Sequence, residues 1–247
     1  ATACYSGGLH GLVETHIRDN PRRDRACTSL ALAFAGSTNA VFGKLALRHL
    51  NPERLLAQSE RLGFNRNVSV DGMDVRSKTT RAAPGLDLAR MAAGFVNSNL
   101  SPLHGAVIAA TIANGGRLPS GASIAAGGSG ESALGGGAQV LEPAVAAALR
   151  DMMARTSVEG TGRKHLAGFA TLTAAGGVAV KTGTLTSRDG SGVFNTWMVG
   201  FYPARKPEIA FAAHVGTAGP GPIKAGHLTR FAINAWRKLK KSRAGQS

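Results

Sequence analysis

Two short stretches of this chain carry residues able to do chemistry. Lys181-Thr182-Gly183-Thr184 closes the apolar run Gly176-Gly177-Val178-Ala179-Val180, a pattern that reads as a strand with side chains alternating in direction. Lys181 and Gly183 then face one side, and Thr182 and Thr184 the other. Gly183 leaves room for another backbone at the strand edge, which suits a peptide docking as an added strand. Lys181 offers a fixed ammonium that can lower the pKa of nearby hydroxyls or hold a carboxylate, and the Thr184 N–H is a candidate oxyanion donor. Far upstream, Ser37-Thr38-Asn39 sets a hydroxyl and a carboxamide two positions apart. Alone, that triplet reads as turn and capping material, with Ser37 as the N-cap of the helix that follows.

The elements that must position these groups follow from hydrophobic spacing. Residues 30–35 and 40–49 are apolar at helical period, with Gly36-Ser37-Thr38-Asn39 as the turn between them. Asn51-Pro52-Glu53 opens a helix with proline at its first position, running to residue 62. Residues 65–85 read as a loop with short strands. Ser101-Pro102 begins a helix that Ser101 can cap and that Asn114-Gly115-Gly116 stops. Residues 119–137 are rich in Gly, Ser and Ala, too poor in large apolar groups to form core. Glu142-Pro143 starts another helix, ended by Gly160-Thr161-Gly162. Strands are expected over 178–186, 195–202 and 208–215, with turn residues at 188–192 between the first two. A last helix over 223–239 runs into a basic tail, 237–247. Helices, then an antiparallel meander, then a helix describe an α/β fold of the α+β type: an antiparallel sheet with flanking helices.

Composition bounds the function. A chain of 247 residues is one domain by length, and 43% apolar content is ordinary for a packed core. Lys and Arg number 29 against 14 acidic residues, a formal charge of +15, which draws polyanions. No helix-turn-helix, aromatic RNA-binding strand or zinc spacing accompanies the charge, so nucleic acid is not a predicted partner. No apolar run approaches the roughly 20 residues of a membrane span. The histidines at 10, 16, 49, 104, 165, 214 and 227 lack metal-ligand spacing, and the Gly clusters at 127–137 and 216–221 lack nucleotide-binding fingerprints. No metal and no cofactor is implied. Cys4 and Cys27 fit either a disulfide in an oxidising compartment or two buried thiols.

Five landmarks, the first of them built around Ser37-Thr38-Asn39 itself, occur in a fixed order. Ala35-Gly36-Ser37-Thr38-Asn39-Ala40-Val41-Phe42-Gly43-Lys44 resembles the Ser-x-Asn helix of penicillin-binding protein transpeptidase domains, and Leu62-Gly63-Phe64-Asn65 their Phe-Gly-Phe-Gly turn. Leu100-Ser101-Pro102-Leu103 through Ile112-Ala113-Asn114-Gly115-Gly116 resembles their Thr-Pro-Leu helix. Glu159-Gly160-Thr161-Gly162 and Thr196-Trp197-Met198-Val199-Gly200-Phe201-Tyr202-Pro203 match the elements flanking the Lys-Thr-Gly strand. The resemblance runs from about residue 30 to 214.

It implies a peptidoglycan D,D-transpeptidase acting by serine acyl transfer. Ser37, Asn39 and Lys181 would be catalytic: Ser37 relaying a proton to the leaving nitrogen, Asn39 holding a lysine and the substrate amide, and Lys181 sitting beside Ser37. Thr182, Gly183 and Thr184 would bind substrate. The implied partners are D-Ala-D-Ala stem peptides and β-lactams, and the implied place is the periplasm, on a parent anchored in the inner membrane. An exported parent would carry Cys4–Cys27 as a disulfide. The family's nucleophile, Ser-x-x-Lys, occurs nowhere in these residues. The chain is therefore expected to be the N-terminally truncated part of a longer polypeptide, with residues 1–236 forming a partial transpeptidase domain. It should be inactive alone, since losing a nucleophile costs about a million-fold in turnover. The family's five-stranded sheet would keep only its three C-terminal strands, leaving the apolar strand over 208–215 at a bare edge that invites pairing and poor solubility. A serine β-lactamase or D,D-carboxypeptidase is the alternative of like chemistry. A non-catalytic scaffold or β-lactam sensor is the alternative of another class.

Overall fold

A computed structural model describes residues 2–127, 132–169, 176–187 and 190–245. Strands β1 (Thr2–Tyr5) and β2 (Ala26–Ser29) form a hairpin whose connection carries the short α1 (Glu14–Ile17). Helices α2 (Leu30–Gly36), α3 (Asn39–His49) and α4 (Pro52–Arg61) follow. The middle of the chain holds β3 (Val68–Val70), β4 (Met73–Val75), β5 (Lys78–Thr79), α5 (Leu86–Ala92), β6 (Ser98–Asn99), α6 (Pro102–Ala113) and β7 (Ala122–Ile124). Then come α7 (Pro143–Val158), α8 (Arg163–Leu166), the long strands β8 (Ala179–Thr186), β9 (Phe194–Tyr202) and β10 (Ile209–Thr217), and α9 (Ala225–Ala244).

The expected antiparallel meander is the central sheet, in the order β10-β9-β8. Among the described residues β8 and β10 are its two edges. One face carries Ala179, Lys181, Val199, Phe201 and Ala210 and packs on α2, α6 and α7. Gly105 lets α6 approach closely, since a Cβ there would stand 3.3 Å from Ala212 Cβ. The opposite face carries Val180, Met198, Ile209 and Phe211 against Leu166 and Ile233 of α8 and α9.

Local chemistry sets most helix starts where the spacing places them. Asn51 Oδ1 accepts the Arg54 N–H at 2.8 Å, with Pro52 opening α4, and Ser29 Oγ accepts the Leu32 N–H of α2. Ser101 precedes α6, but its hydroxyl makes no capping bond.

Two expectations are corrected. Part of residues 119–137 does contribute core: Ala122 and Ile124 are buried, with the neighbouring Leu118, against Val68, Val107 and Val140, because β7 pairs with β3 and turns Ile124 inward; residues 128–131 lie outside the described residues. Residues 65–85 are, as expected, a loop with the short strands β3, β4 and β5, and the sequence reading assigns nothing to the helix that follows, α5, whose Leu88, Ala89 and Met91 are buried. The last helix does not fray at 239 into a tail but continues to Ala244. Its far end is tied to the sheet: Trp236 Nε1 donates to Glu208 at 3.2 Å, and the Lys240 ammonium pairs with the same carboxylate. Of the turn expected at 188–192, residues 188 and 189 lie outside the described residues.

The N-terminal hairpin is fixed to α3 by charge. Cys4 and Cys27 are register partners with Cα atoms 4.0 Å apart, and their sulfurs are bonded. Lys44 projects from α3 beneath them, its side chain only 1% exposed. The ammonium meets Asp24 Oδ2 at 2.5 Å, Asp19 Oδ1 at 3.3 Å and the Cys4 carbonyl at 3.2 Å. Breaking a buried pair by removing one partner strands the other charge. Lys44→Met should therefore cost about 3–5 kcal/mol in urea unfolding, and the double variant Lys44→Met/Asp24→Leu should recover most of it. A single variant as stable as wild type would refute the coupling.

Candidate active site

The turn between α2 and α3 and the strand β8 are far apart in sequence and adjacent in space. Ser37 ends α2 in the left-handed region, φ 53° and ψ 48°, a conformation that costs a non-glycine residue about 1–2 kcal/mol. Its N–H donates back to Phe34 O at 3.2 Å. Ser37 is thus the C-terminal cap of α2, and Thr38 holds the N-cap position of α3, which corrects the capping role expected for Ser37. The left-handed turn aims the hydroxyl at β8, where the Lys181 ammonium donates to it. Lys181 Nζ also donates to Thr182 O at 2.9 Å and lies 5.6 Å from the Phe34 ring centroid. Burial pushes the Lys181 ammonium down from the ordinary lysine range to about 8. Losing its water disfavours the charged form.

Asn39 opens α3 in the same cleft, and its Nδ2 donates to Leu9 O at 2.6 Å. Thr182 and Thr184 point to the other face of β8, as the two-residue period requires. Thr182 Oγ1 lies 2.5 Å from Thr161 Oγ1. Thr161 is brought there by backbone contact, its N–H donating to Ala35 O at 3.0 Å. Gly160 makes that contact possible, because a Cβ at 160 would collide with the Ala35 carbonyl. A Cβ at Gly183 would stand 3.3 Å from Trp197 Cβ on β9, so this glycine relieves its own sheet, while the outer edge of β8 stays unpaired among the described residues.

These groups line one cleft of 740 Å³. Ser37, Asn39, Lys181, Thr182, Gly183 and Thr184 all border it. So do residues to which the sequence reading gave no role in the site. Trp197 stacks on His214 with ring centroids 4.3 Å apart, and His214 Nε2 is 2.7 Å from Asn195 Oδ1. His165 and Lys224 also line the cleft. The alternation of strand residues around Trp197 could have flagged its place beside Gly183; nothing local to His165 or Lys224 announces theirs. Among the described residues no three His, Cys, Asp or Glu side chains are grouped to hold a metal ion. The arrangement is suited to proton transfer through a buried lysine–hydroxyl pair beside an open strand edge.

Residues 6–230 match the family model described as penicillin binding protein transpeptidase domain. The chain belongs to that family. No curated protein matches it, but solved structures do. PBP2 from Pseudomonas aeruginosa in complex with WCK 5153 is 23% identical with a TM-score of 0.71, covering 96% of this chain and 55% of its own. Penicillin-binding protein A from Mycobacterium tuberculosis, as its imipenem acyl-enzyme complex, is 23% identical with a TM-score of 0.65, covering 95% and 52%. PBP2 from Helicobacter pylori, solved with MreC, is 20% identical with a TM-score of 0.69, covering 97% and 45%. At these identities the likeness is one of fold. The chain spans about half the length of these structures.

The depressed lysine has a measurable consequence. Between about pH 8 and the ordinary 10.5, the unfolded chain binds a proton at Lys181 that the folded chain has released, so stability rises with pH across that window. Lys181→Met removes the buried charge and should be the more stable protein at pH 7 by on the order of 1–3 kcal/mol. That gap should narrow toward pH 10 in urea titrations. A gap that does not change with pH would refute the assignment.

Proposed function

We propose that this chain carries the proton-relay and substrate-anchoring half of a peptidoglycan D,D-transpeptidase, in a longer polypeptide that supplies the Ser-x-x-Lys nucleophile. The observation that carries the reading is the Lys181–Ser37 contact beside the open edge of β8. Family membership over residues 6–230 supports it. In the proposed reaction the upstream serine oxygen attacks the penultimate carbonyl of a D-Ala-D-Ala stem. The C–N bond breaks, and the leaving D-Ala nitrogen takes a proton relayed through the Ser37 hydroxyl, with the buried Lys181 ammonium beside it. An amine of a second stem then attacks the acyl-serine, releases the serine oxygen and completes the cross-link. Asn39, at the mouth of α3, would orient the nucleophile's lysine and the substrate amide. Thr182, Gly183 and Thr184 would hold the stem along the β8 edge, the threonines anchoring its carboxylate.

β-Lactams mimic the terminal dipeptide and would acylate the same serine, as imipenem acylates penicillin-binding protein A of Mycobacterium tuberculosis. Such a reaction belongs outside the cytoplasm, so the parent would act in the periplasm, held at the inner membrane. Among the described residues no helix is long and apolar enough to cross a membrane. An oxidising compartment also suits the Cys4–Cys27 bond.

Fluorescent penicillin tests the reading. A polypeptide extending upstream through a Ser-x-x-Lys segment should acquire covalent label, and Lys181→Ala in it should slow acylation by about 10²–10⁴-fold. The 247-residue chain should stay unlabelled. Covalent label on that shorter chain would mean that a nucleophile lies within these residues and would overturn the assignment.

A further inference from the structure

The two faces of β8 are unequally charged in a way that the motif alone does not explain. Lys181 points to the face shared with Phe34 and Ser37, and its ammonium is committed there. Thr182 and Thr184 point to the opposite face. A carboxylate seated on those hydroxyls would receive hydrogen bonds from neutral donors, the hydrogen bonds of Lys181 being directed to Ser37 Oγ and Thr182 O. Charge-assisted bonds are roughly twice as strong as neutral ones, so the cation has to come from elsewhere.

The structure offers one, built by α8 and the first turn of α9. Ala225 N–H donates to Thr196 Oγ1 at 3.0 Å, and Thr196 is the register partner of Thr184. The start of α9 is therefore pinned beside the threonine row. Lys224 occupies the N-cap position of α9 and borders the cleft with His165. The His165 ring meets His227 edge to face, centroids 5.4 Å apart, and Lys224 N–H donates to His227 Nδ1 at 3.0 Å. Gly226 is what admits the imidazole, since a Cβ at 226 would overlap the His165 ring. Lys164 adds a further charge beside it. Among the described residues no carboxylate is ion-paired or hydrogen-bonded to Lys164, His165, Lys224 or His227. Two basic side chains, His165 and Lys224, border the cleft with Lys164 and His227 behind them, and among the described residues none of the four has an acidic partner.

We propose that Lys224 and His165, backed by His227, supply the counter-charge for the substrate's terminal carboxylate above Thr182 and Thr184, and so make the cleft selective for peptides ending in a free acid. This inference rests on the function proposed above and names residues outside its motifs. His165 is held below the ordinary imidazole range by burial first, then by the charges of His227, Lys164 and Lys224. An arriving carboxylate offsets those charges and favours its protonation. The subsite therefore gains charge as it fills.

The test uses the 247-residue chain with N-acetyl-D-alanyl-D-alanine and its C-terminal amide at matched ionic strength, followed by NMR. The acid should shift the amide resonances of Thr182 and Thr184 and the imidazole resonances of His165 and His227, and should raise the His165 titration midpoint. The amide should leave both imidazoles unmoved. Lys224→Met should weaken binding of the acid by about ten-fold, with Lys224→Arg restoring it and amide binding unchanged in both. If the acid moves Thr182 and Thr184 but neither imidazole, or binds Lys224→Met as it binds wild type, the inference fails and the proposed function stands. If acid and amide move the imidazoles alike, charge is not being read, and the inference again fails. If neither ligand moves any resonance in the cleft, the proposed function fails with it.

Discussion

The candidate site depends on one contact, between an ammonium on the sheet and a hydroxyl at a helix turn. Lys181 leaves the sheet from β8 and meets Ser37 at the turn between α2 and α3, 144 residues earlier in the chain. The contact is costly to form: burial lowers the lysine to about 8, and Ser37 has to adopt a left-handed backbone to present its hydroxyl. Neither cost serves packing. Both are tolerated because α2 packs on α7 and is tied to the turn after it by the Thr161–Ala35 backbone bond, and because the apolar cluster of Ala109, Met153, Ala179 and Phe201 lies beneath. A proton-transfer pair has to be kept dry and at fixed distance, and strain of this kind is characteristic of functional sites.

How much of this was legible in the sequence depended on the range of the interaction that decides it. The strands over β8, β9 and β10 declared themselves through alternation and length, and α4 and α7 through a proline at the first helical position. The triplet alone reads Ser37 as an N-cap, because a serine before an apolar helical run ordinarily is one, whereas the family landmarks put it beside Lys181, where it lies as the left-handed C-cap of α2. β7 was missed because Ile124 stands alone among small residues, and its burial depends on pairing with β3, more than fifty positions upstream. α5 was missed although Pro84-Gly85 followed by Leu86, Leu88, Ala89 and Met91 is a readable start and an apolar face. The family landmarks, in contrast, are local strings, and they carried the fold and the cleft together.

The far end of α9 shows a similar limit. Seven residues rich in Lys and Arg read as a solvated tail, since like charges repel along a helix. Two contacts outside the helix reverse that: Trp236 and Lys240 both reach Glu208, on the turn that enters β10. An acidic residue on the sheet side thus lengthens a helix that propensity and charge would end sooner.

The period of two along β8 explains how one four-residue motif serves two tasks. Lys181 and Gly183 fall on the face packed against helices, where the part-buried Lys181–Ser37 contact can relay a proton between fixed groups. Thr182 and Thr184 fall on the face where α8 and α9 converge, and there the strand itself brings only neutral donors. Shifting the register by one residue would exchange the faces and put the ammonium among the threonines' neighbours, already crowded with His165, Lys224 and His227. Like charges at that distance would expel one another or lose their protons. The separation of proton relay from anion binding is therefore a consequence of strand geometry, and the position of α9 is what allows the second face to carry its own cation.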